Sequence, residues 1–562
     1  TDDGNRLLTT ADDIGKVTTY NYNENTNVLE WVQYPNDTQS SRTTYSYDEI
    51  YRIATAAKSV EGLTGGTALT AGYTYTNDLL TAIETGSTTY SFSYGAFAQR
   101  SSIQIGSRTL ASYNYTNDQN RYLNSIDYGN GDKVQYSYDS LGRVVKETFE
   151  DGKTISYAYD NSGALATVTD SGTGRKTTYY YDLTDRMVKY VETGSNYRHS
   201  VGYEYDNLNN LTLLVETING DTHTTSYTYD SDNRITSIAT DSVRQTIEYD
   251  NYGRISRMSV KNGEIPVLTA SHTYRNTTTG LPTRQLLTTE TLSPIDFLTS
   301  TTSYDDSGNI TVINVNAPGW MDTLIPTGNA TSIIEHVSYT YDTANQLVRE
   351  DNYRTLITSV WEYDDAGNIL SRTDYPYTVR PVEFETPIEQ VVYHYGDSAW
   401  GDLLTGIDNV SFTYDENGNL LYDGYWTYSW QHGRQLSSIT HGTTTWTYTY
   451  DANGMRTSRS DGSTTYNYVY NGDQLVQMTK GSDTLYFTYG ATGPTTVTWN
   501  GTTYYYALNG QGDVIGIFDA AGNCVVTYHW DNAWGFIPEP EGSMAASLGE
   551  LNPLRYRSYV YE

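Results

Sequence analysis

Residues 136–144 read YSYDSLGRV, and the fold follows from how that phrase must sit. Tyr136 and Tyr138 alternate with Ser137, so a β-strand sends both rings to one face and the serine to the other. Asp139 is a residue type that folds its own backbone into a turn, and Gly142 supplies a position that tolerates positive φ. Arg143 and Val144 then begin a returning strand, in which Val145, Glu147 and Phe149 alternate with Lys146 and Thr148. The phrase is therefore a β-hairpin with a loop of about four residues.

The phrase recurs as YAYDNSGAL (157–165), with Tyr157, Tyr159, Asp160 and Gly163, and as IEYDNYGRI (247–255), with Tyr249, Asp250, Gly253 and Arg254. FTYDENGNL (412–420) repeats it with Tyr414, Asp415 and Gly418. Successive Tyr-Asp steps at Tyr138, Tyr159, Tyr181, Tyr205, Tyr229 and Tyr249 recur with a period of about 20–24 residues. Degenerate copies such as Tyr73-Thr74-Tyr75-Thr76 occupy the stretch that ends at Gln135. No helical periodicity longer than about two turns appears, and the one extended break, Gly535 to Leu551, reads as a loop with one helical turn. A propeller would need about 13 blades, beyond the usual ceiling of about 8. About 50 strands at ~4.8 Å would instead form a ribbon ~240 Å wide, too broad to stay open and flat. The expected fold is all-β: a spiral ribbon of antiparallel hairpins wound around a cavity, with at least one open end.

Composition supports a folded chain of an unusual kind. Charge of −33 and a mean hydropathy of −0.58 tend toward disorder, but 57 Tyr and 10 Trp raise the aromatic fraction to 14%. Each ring can bury roughly 150–250 Å², so the core is built from rings with polar tips. The acidic balance, without a Lys/Arg cluster, argues against a nucleic-acid partner and against polybasic membrane docking. No run is long and apolar enough for a membrane helix, and residues 1–10 have no signal-peptide pattern; without an initiating Met, the sequence reads as a piece of something longer. Cys524 is the single cysteine, so neither an internal disulfide nor a cysteine metal site is expected.

The Y-x-YD-x-x-G-R/N-L/I unit resembles the YD repeat of the RHS family over nearly the whole chain. The stretch YYYALNGQGDVIGIFDAAGNCVVTYHWDNAWG (504–535), with LGELNPLRYRSYVYE (548–562), is similar to the RHS-associated core of wall-associated members. Asp513, Gly516, Asp519, Gly522, Trp534, Gly535, Asn552, Pro553, Arg555 and Tyr556 carry that similarity. The resemblance implies a hollow shell, as in teneurins and the C components of Tc toxins, and in polymorphic toxins a C-terminal effector held inside in cis. It divides the chain into a degenerate repeat region (1–135), a YD-repeat shell (136–503) and a truncated core-like segment (504–562). The family's self-cleavage segment would lie beyond Glu562, so no catalytic residue is carried over. The implied protein is a secreted or bacterial cell-surface, non-enzymatic shell without cofactor. A surface adhesin binding glycans or proteins is the alternative.

Other candidate chemistry is weaker. The Asp comb (Asp139, Asp160, Asp206, Asp230, Asp250) could hold calcium, with Asp305-Asp306 and Asp364-Asp365 the best places, but turn formation explains it more simply. The eight histidines lack ligand spacing and are expected on strand surfaces or satisfied in the core. Glu383 and Glu385 could pair on one strand face as a glycosidase requires, although two exposed acids are commoner. Asn276-Thr277-Thr278 is a chance glycosylation triplet. Gly510, Gly512 and Gly516 resemble a phosphate loop superficially and are expected in tight turns.

Overall fold

The structure is a computed structural model that describes residues 6–11, 15–35, 42–59, 68–275, 286–293, 298–316 and 333–561. Among these residues there are 47 strands and three short helical turns, so the all-β expectation holds. Each strand pairs antiparallel with its sequence neighbours, giving a 34-stranded ribbon up to Val410–Ser411 and a 13-stranded one from Thr413–Tyr414 onward.

The hairpin of residues 133–149 shows how the phrase works. Strand Lys133–Tyr138 pairs with Val144–Phe149, Tyr138 opposite Val144 and Ser137 opposite Lys146. Val145 is thus an extra, bulged residue, and the loop runs over five residues, 139–143, one more than the sequence reading allowed. The same shift follows the Tyr of the units at Tyr159, Tyr181, Tyr205, Tyr229 and Tyr249. A bulge adds local twist, and one per hairpin supplies the steady curl a wound ribbon needs.

The winding shows in contacts between residues far apart in sequence. The separation between touching residues is 317 at Thr85 and Asp402, 301 at Asp132 and Gly433, 270 at Glu216 and Tyr486, 246 at Gln245 and Ala491, and 179 at Asn352 and Asp531. At ~12 residues and ~4.8 Å per strand, one revolution shrinks from a girth of roughly 120 Å to roughly 70 Å. The spiral tapers toward its C-terminal end. Its accessible surface is 28822 Å², against about 20,000 Å² for a compact protein of this mass, as expected of a wall with two faces.

Two local readings need correction. Glu383 and Glu385 are not on a strand: Arg380-Pro381 leads into a 3-10 turn, Val382–Phe384, because Pro381 cannot donate to a ladder. Gly516 is not in a turn but within strand Val514–Phe518, where an added Cβ would lie 3.4 Å from Cys524 Sγ and from Val526 O. Gly512, by contrast, has φ +85° in a turn as expected. The helical turn in the break is observed at Ala545–Gly549. The Asn276 triplet lies outside the described residues.

Candidate functional site: the turn ladder, the seam and the C-terminal closure

Asp139 Oδ1 accepts the backbone N–H groups of Leu141 and Arg143 at 2.9 and 3.0 Å, and its Oδ2 accepts from Arg143 Nε at 2.8 Å. Gly142 and Gly163 have φ of +80° and +98°. Gly253 and Gly418 repeat the geometry at +80° and +77°. Asp160, Asp250 and Asp415 collect three or four turn donors each. These donors favour the charged carboxylate, so Asp139 and Asp160 are held below the usual range. Asp305 and Asp364 do the same work, while Asp306 pairs with Lys16 at 2.7 Å. Among the described residues no three His, Cys, Asp or Glu side chains gather as a metal set.

The tyrosines perform a task the sequence reading left open. Tyr138 OH donates to Leu123 O at 2.7 Å, Tyr159 OH to Val144 O at 2.8 Å, and Tyr249 OH to Ile235 O at 2.8 Å. Tyr181, Tyr205, Tyr229, Tyr274, Tyr304, Tyr363, Tyr450 and Tyr489 follow the same rule. Each motif tyrosine thus reaches back to the carbonyl that opens a returning strand of the preceding unit, and the hydroxyls tie hairpin to hairpin. Tyr136 and Tyr157, the other ring of each pair, lie half-buried behind it with Glu147, and Tyr157 donates to Glu147 Oε1 at 3.0 Å. Burial, then Glu147, pushes the Tyr136 hydroxyl up to about 12.

Successive revolutions meet turn against turn. Plain turns of the first winding face Tyr-Asp-type turns of the second: Asn130 Nδ2 donates to Asp415 Oδ2 and to Gly433 O, each at 3.1 Å, and the Gly433 amide donates to Asp132 Oδ2 at 2.7 Å. Further along, Tyr486 OH donates to the buried Glu216 at 3.1 Å, and Glu216 also bonds His199 Nε2 at 2.8 Å. His199 is fully buried, and its Nδ1 finds no partner among the described residues, so this core histidine is only half satisfied. His223 stacks on Tyr486 at 3.6 Å between centroids.

The core-like residues pack together at the narrow end. Asn552 is the hub: its Oδ1 accepts from Tyr506 OH at 2.6 Å, and its Nδ2 donates to Leu554 O at 2.7 Å and to Tyr528 OH at 3.2 Å. Arg555 donates to Gly549 O at 3.0 Å and Asn552 O at 3.2 Å and lies over the rings of Tyr528 and Tyr561. Burial holds the Tyr506 hydroxyl far above its ordinary range and Tyr528 at about 12, so neither ionises near neutral pH. Asp513 accepts Arg557 N at 2.8 Å and Asn509 Nδ2 at 2.8 Å, and Pro553 O accepts Tyr561 N at 2.7 Å. Gly535 leaves room for the Tyr556 ring, whose OH donates to Ala533 O. Trp534 is largely exposed and meets Trp361 of the preceding winding edge-on. Asp519 and Gly522 form an ordinary Tyr-Asp-type turn, as the sequence pattern implied, and take no part in the hub. Tyr505, Ile515 and Phe518 pack into one core with Ile247, Val267 and Leu292, so the closure is welded to the first winding. Glu562 lies outside the described residues.

Comparison with known proteins agrees with this geometry. Residues 138–173, which take in the turns of the first two quoted hairpins, match the RHS Repeat family. This stretch is an RHS repeat. The chain is 32% identical over 167 residues to the tRNA(Glu)-specific nuclease WapA of Bacillus subtilis subsp. natto, a match covering 28% of this chain and 7% of that protein. Against the tRNA3(Ser)-specific nuclease WapA of Bacillus spizizenii it is 25% identical over 232 residues, 40% of this chain and 9% of the other. This RHS-repeat chain therefore spans under a tenth of the curated relatives it matches. Its fold is that of a chain in the Photorhabdus luminescens Tc holotoxin pore with the TccC3-D651A mutation, at TM-score 0.77 and 12% identity over 99% of this chain and 30% of that one. A TcdB2-TccC3-TEV crystal structure superposes at TM-score 0.71 with 12% identity, covering 98% and 32%.

Proposed function

We propose that this chain is the non-enzymatic wall of a secreted or cell-surface bacterial toxin, and that it holds a C-terminal effector polypeptide in cis. The observation that carries the reading is the tapered winding: a two-faced β-wall, broad at the first-winding rim and narrowing toward the Asn552 hub. Such a wall offers a following chain an enclosed volume and shields it from other macromolecules. The relatives' printed names, nucleases in one case and Tc toxin assemblies in the other, fit a module that serves a toxin without being its catalytic part.

The segment 504–562 acts in this reading as the stopper that turns a following effector toward the interior. A direct test fuses a permanently unfolded reporter polypeptide after Glu562 and, separately, before Thr1. Protease should cut the C-terminal reporter at least about tenfold more slowly than the N-terminal one. Equal cleavage of the two reporters would overturn encapsulation.

A further inference from the structure

Where the C-terminal segment meets the ribbon between Leu287 and Asn352 there is a cavity of about 360 Å³, in the size range of ligand pockets, and a second of about 390 Å³ shares part of its lining. Glu290 lines both. Its side chain is 4% exposed; Oε1 is hydrogen bonded to His272 Nε2 at 3.1 Å, while Oε2 has no partner among the described residues. A buried polar oxygen left without a partner is costly, so this atom calls for a donor. Gly510 keeps the place open: a Cβ there would press on Leu287 and stand 3.8 Å from Glu290 Oε2.

The rest of the lining narrows the chemistry. Leu298, Ile313 and Val337 give an aliphatic wall, and Tyr304, Tyr339 and Trp530 present aromatic surface. The other charges there are matched, since Asp513 is satisfied by Asn509 and the Arg557 backbone, and the Arg557 guanidinium sits beside Asp513 and donates to Gln511 O. An aliphatic stem ending in a cation suits such a site, because the rings attract a cation through their faces and the carboxylate completes its hydrogen bonding.

We propose that this cavity is a seat for the lysine side chain of an extended apolar segment of the enclosed polypeptide, with its ammonium on Glu290 Oε2. The inference rests on the encapsulation reading for its natural ligand. It gives the shell a way to retain a non-native chain by one repeated side-chain type without a specific fold.

The test is calorimetric titration of the chain with the peptide acetyl-Gly-Leu-Lys-Leu-Gly-amide and with its Gln counterpart. The lysine peptide should bind at least about tenfold more tightly, and Glu290→Gln should erase that preference while leaving the thermal unfolding midpoint within a few degrees. If Glu290→Gln unfolds the chain, Gly510→Ala, which crowds the seat from the opposite side, should weaken the lysine peptide selectively. No binding, equal binding of the two peptides, or a lysine preference that survives both substitutions would overturn the seat. Because the peptides are added in trans, that failure is separate from the reporter-protection result, which judges encapsulation alone.

Discussion

The Tyr-Asp turns of the first winding and those of the second share one backbone design and differ at two positions. Two residues after the Asp, the first winding carries Ile50, Leu141, Leu208 and Tyr252, all exposed, whereas the second carries Ala344, Ala366 and the buried Asn417. Four residues after the Asp, the first winding has Arg52, Arg143, Arg186, Arg234 and Arg254, and the second has Asn309, Gln346, Asn368 and Asn419. The arginines lie across the tyrosine of the next unit, Arg143 over Tyr159 at 4.2 Å and Arg234 over Tyr249 at 4.6 Å, and hold a free rim together sideways. The asparagines bond within their own winding, as Asn419 does to Gly433 O at 2.7 Å, and the small residues leave room for the neighbouring winding, where a Cβ on Gly86 would be 2.7 Å from that of Ala366. Size and charge at these positions thus record which turns are covered. Ser162, Thr184 and Asp232 at the first of these positions and Ala164 and Asn210 at the second are first-winding exceptions, and Met455 is a second-winding one.

Glycine substitutions should separate the two classes most strongly. At Gly418 (φ +77°) a side chain meets both backbone strain and the rigid Trp400 indole, so Gly418→Val should cost about 2–5 kcal/mol in denaturant unfolding. Gly163 (φ +98°) has only Arg143 Nη1 nearby, at 3.7 Å, and Gly163→Val should cost about 1–3 kcal/mol from strain alone. Equal costs would show that the Trp400 indole does not confine the Gly418 turn.

Tyr486→Phe comes next. It strips a donor from buried Glu216 at the seam and should cost about 1–3 kcal/mol, whereas Tyr159→Phe in the exposed ladder should cost about 0.5–1.5 kcal/mol. A smaller loss at Tyr486 than at Tyr159 would break the seam.

Acid should separate one turn of each winding by sign. Asp206 is held below its ordinary range, first by the Asn210 side chain and then by backbone donors, so it stabilises the fold above pH ~4 and that contribution fades as pH falls through its lowered value. Asp342 is pushed up by burial under the neighbouring winding, so its contribution is present at low pH and is lost as pH rises through its raised value. Asp206→Asn should therefore destabilise at pH 7 and do little at pH 2, while Asp342→Asn, which keeps the turn acceptor, should be neutral or stabilising at pH 7. Unfolding midpoints of the two variants across pH 2–7 check this, and matching profiles would contradict it.

Leu141→Ala should be the smallest effect, within ~0.5 kcal/mol, since Leu141 is 74% exposed. Ala366→Leu, at the corresponding docked position, should cost about 1–3 kcal/mol by overpacking against Gly86.

Much of this was legible locally. Tyr136, Tyr138, Asp139 and Gly142 announce strand, turn and positive φ within one short phrase, because the strand pairing and the Asp139 turn bonds are made inside one hairpin, while the Tyr138 hydroxyl bond and the packing on Tyr122 reach outside it. The bulge at Val145 was not, since a bulged strand and a regular one share the same alternation until the partner is known. Nor could Asn at positions 209 and 233 be told from ordinary turn residues, though both take the positive φ that Gly142 takes. Gly516 looked like a turn glycine because its reason, the nearness of Cys524 and Val526, comes from the next strand. The seam was the hardest part: Asp132 and Gly433 are 301 residues apart, and no short-range pattern links them. The signal that could have found it was the exchange of Arg and Leu for Asn and Ala in later copies of the motif.

Small-angle X-ray scattering of the chain tests the wound, hollow wall most directly. A compact protein of this length has a radius of gyration of about 24 Å. The account predicts a value several ångströms larger, with a pair-distance distribution weighted toward long vectors as a hollow body requires. A radius no larger than that of the compact protein, with the symmetric distribution of a solid globule, would contradict it.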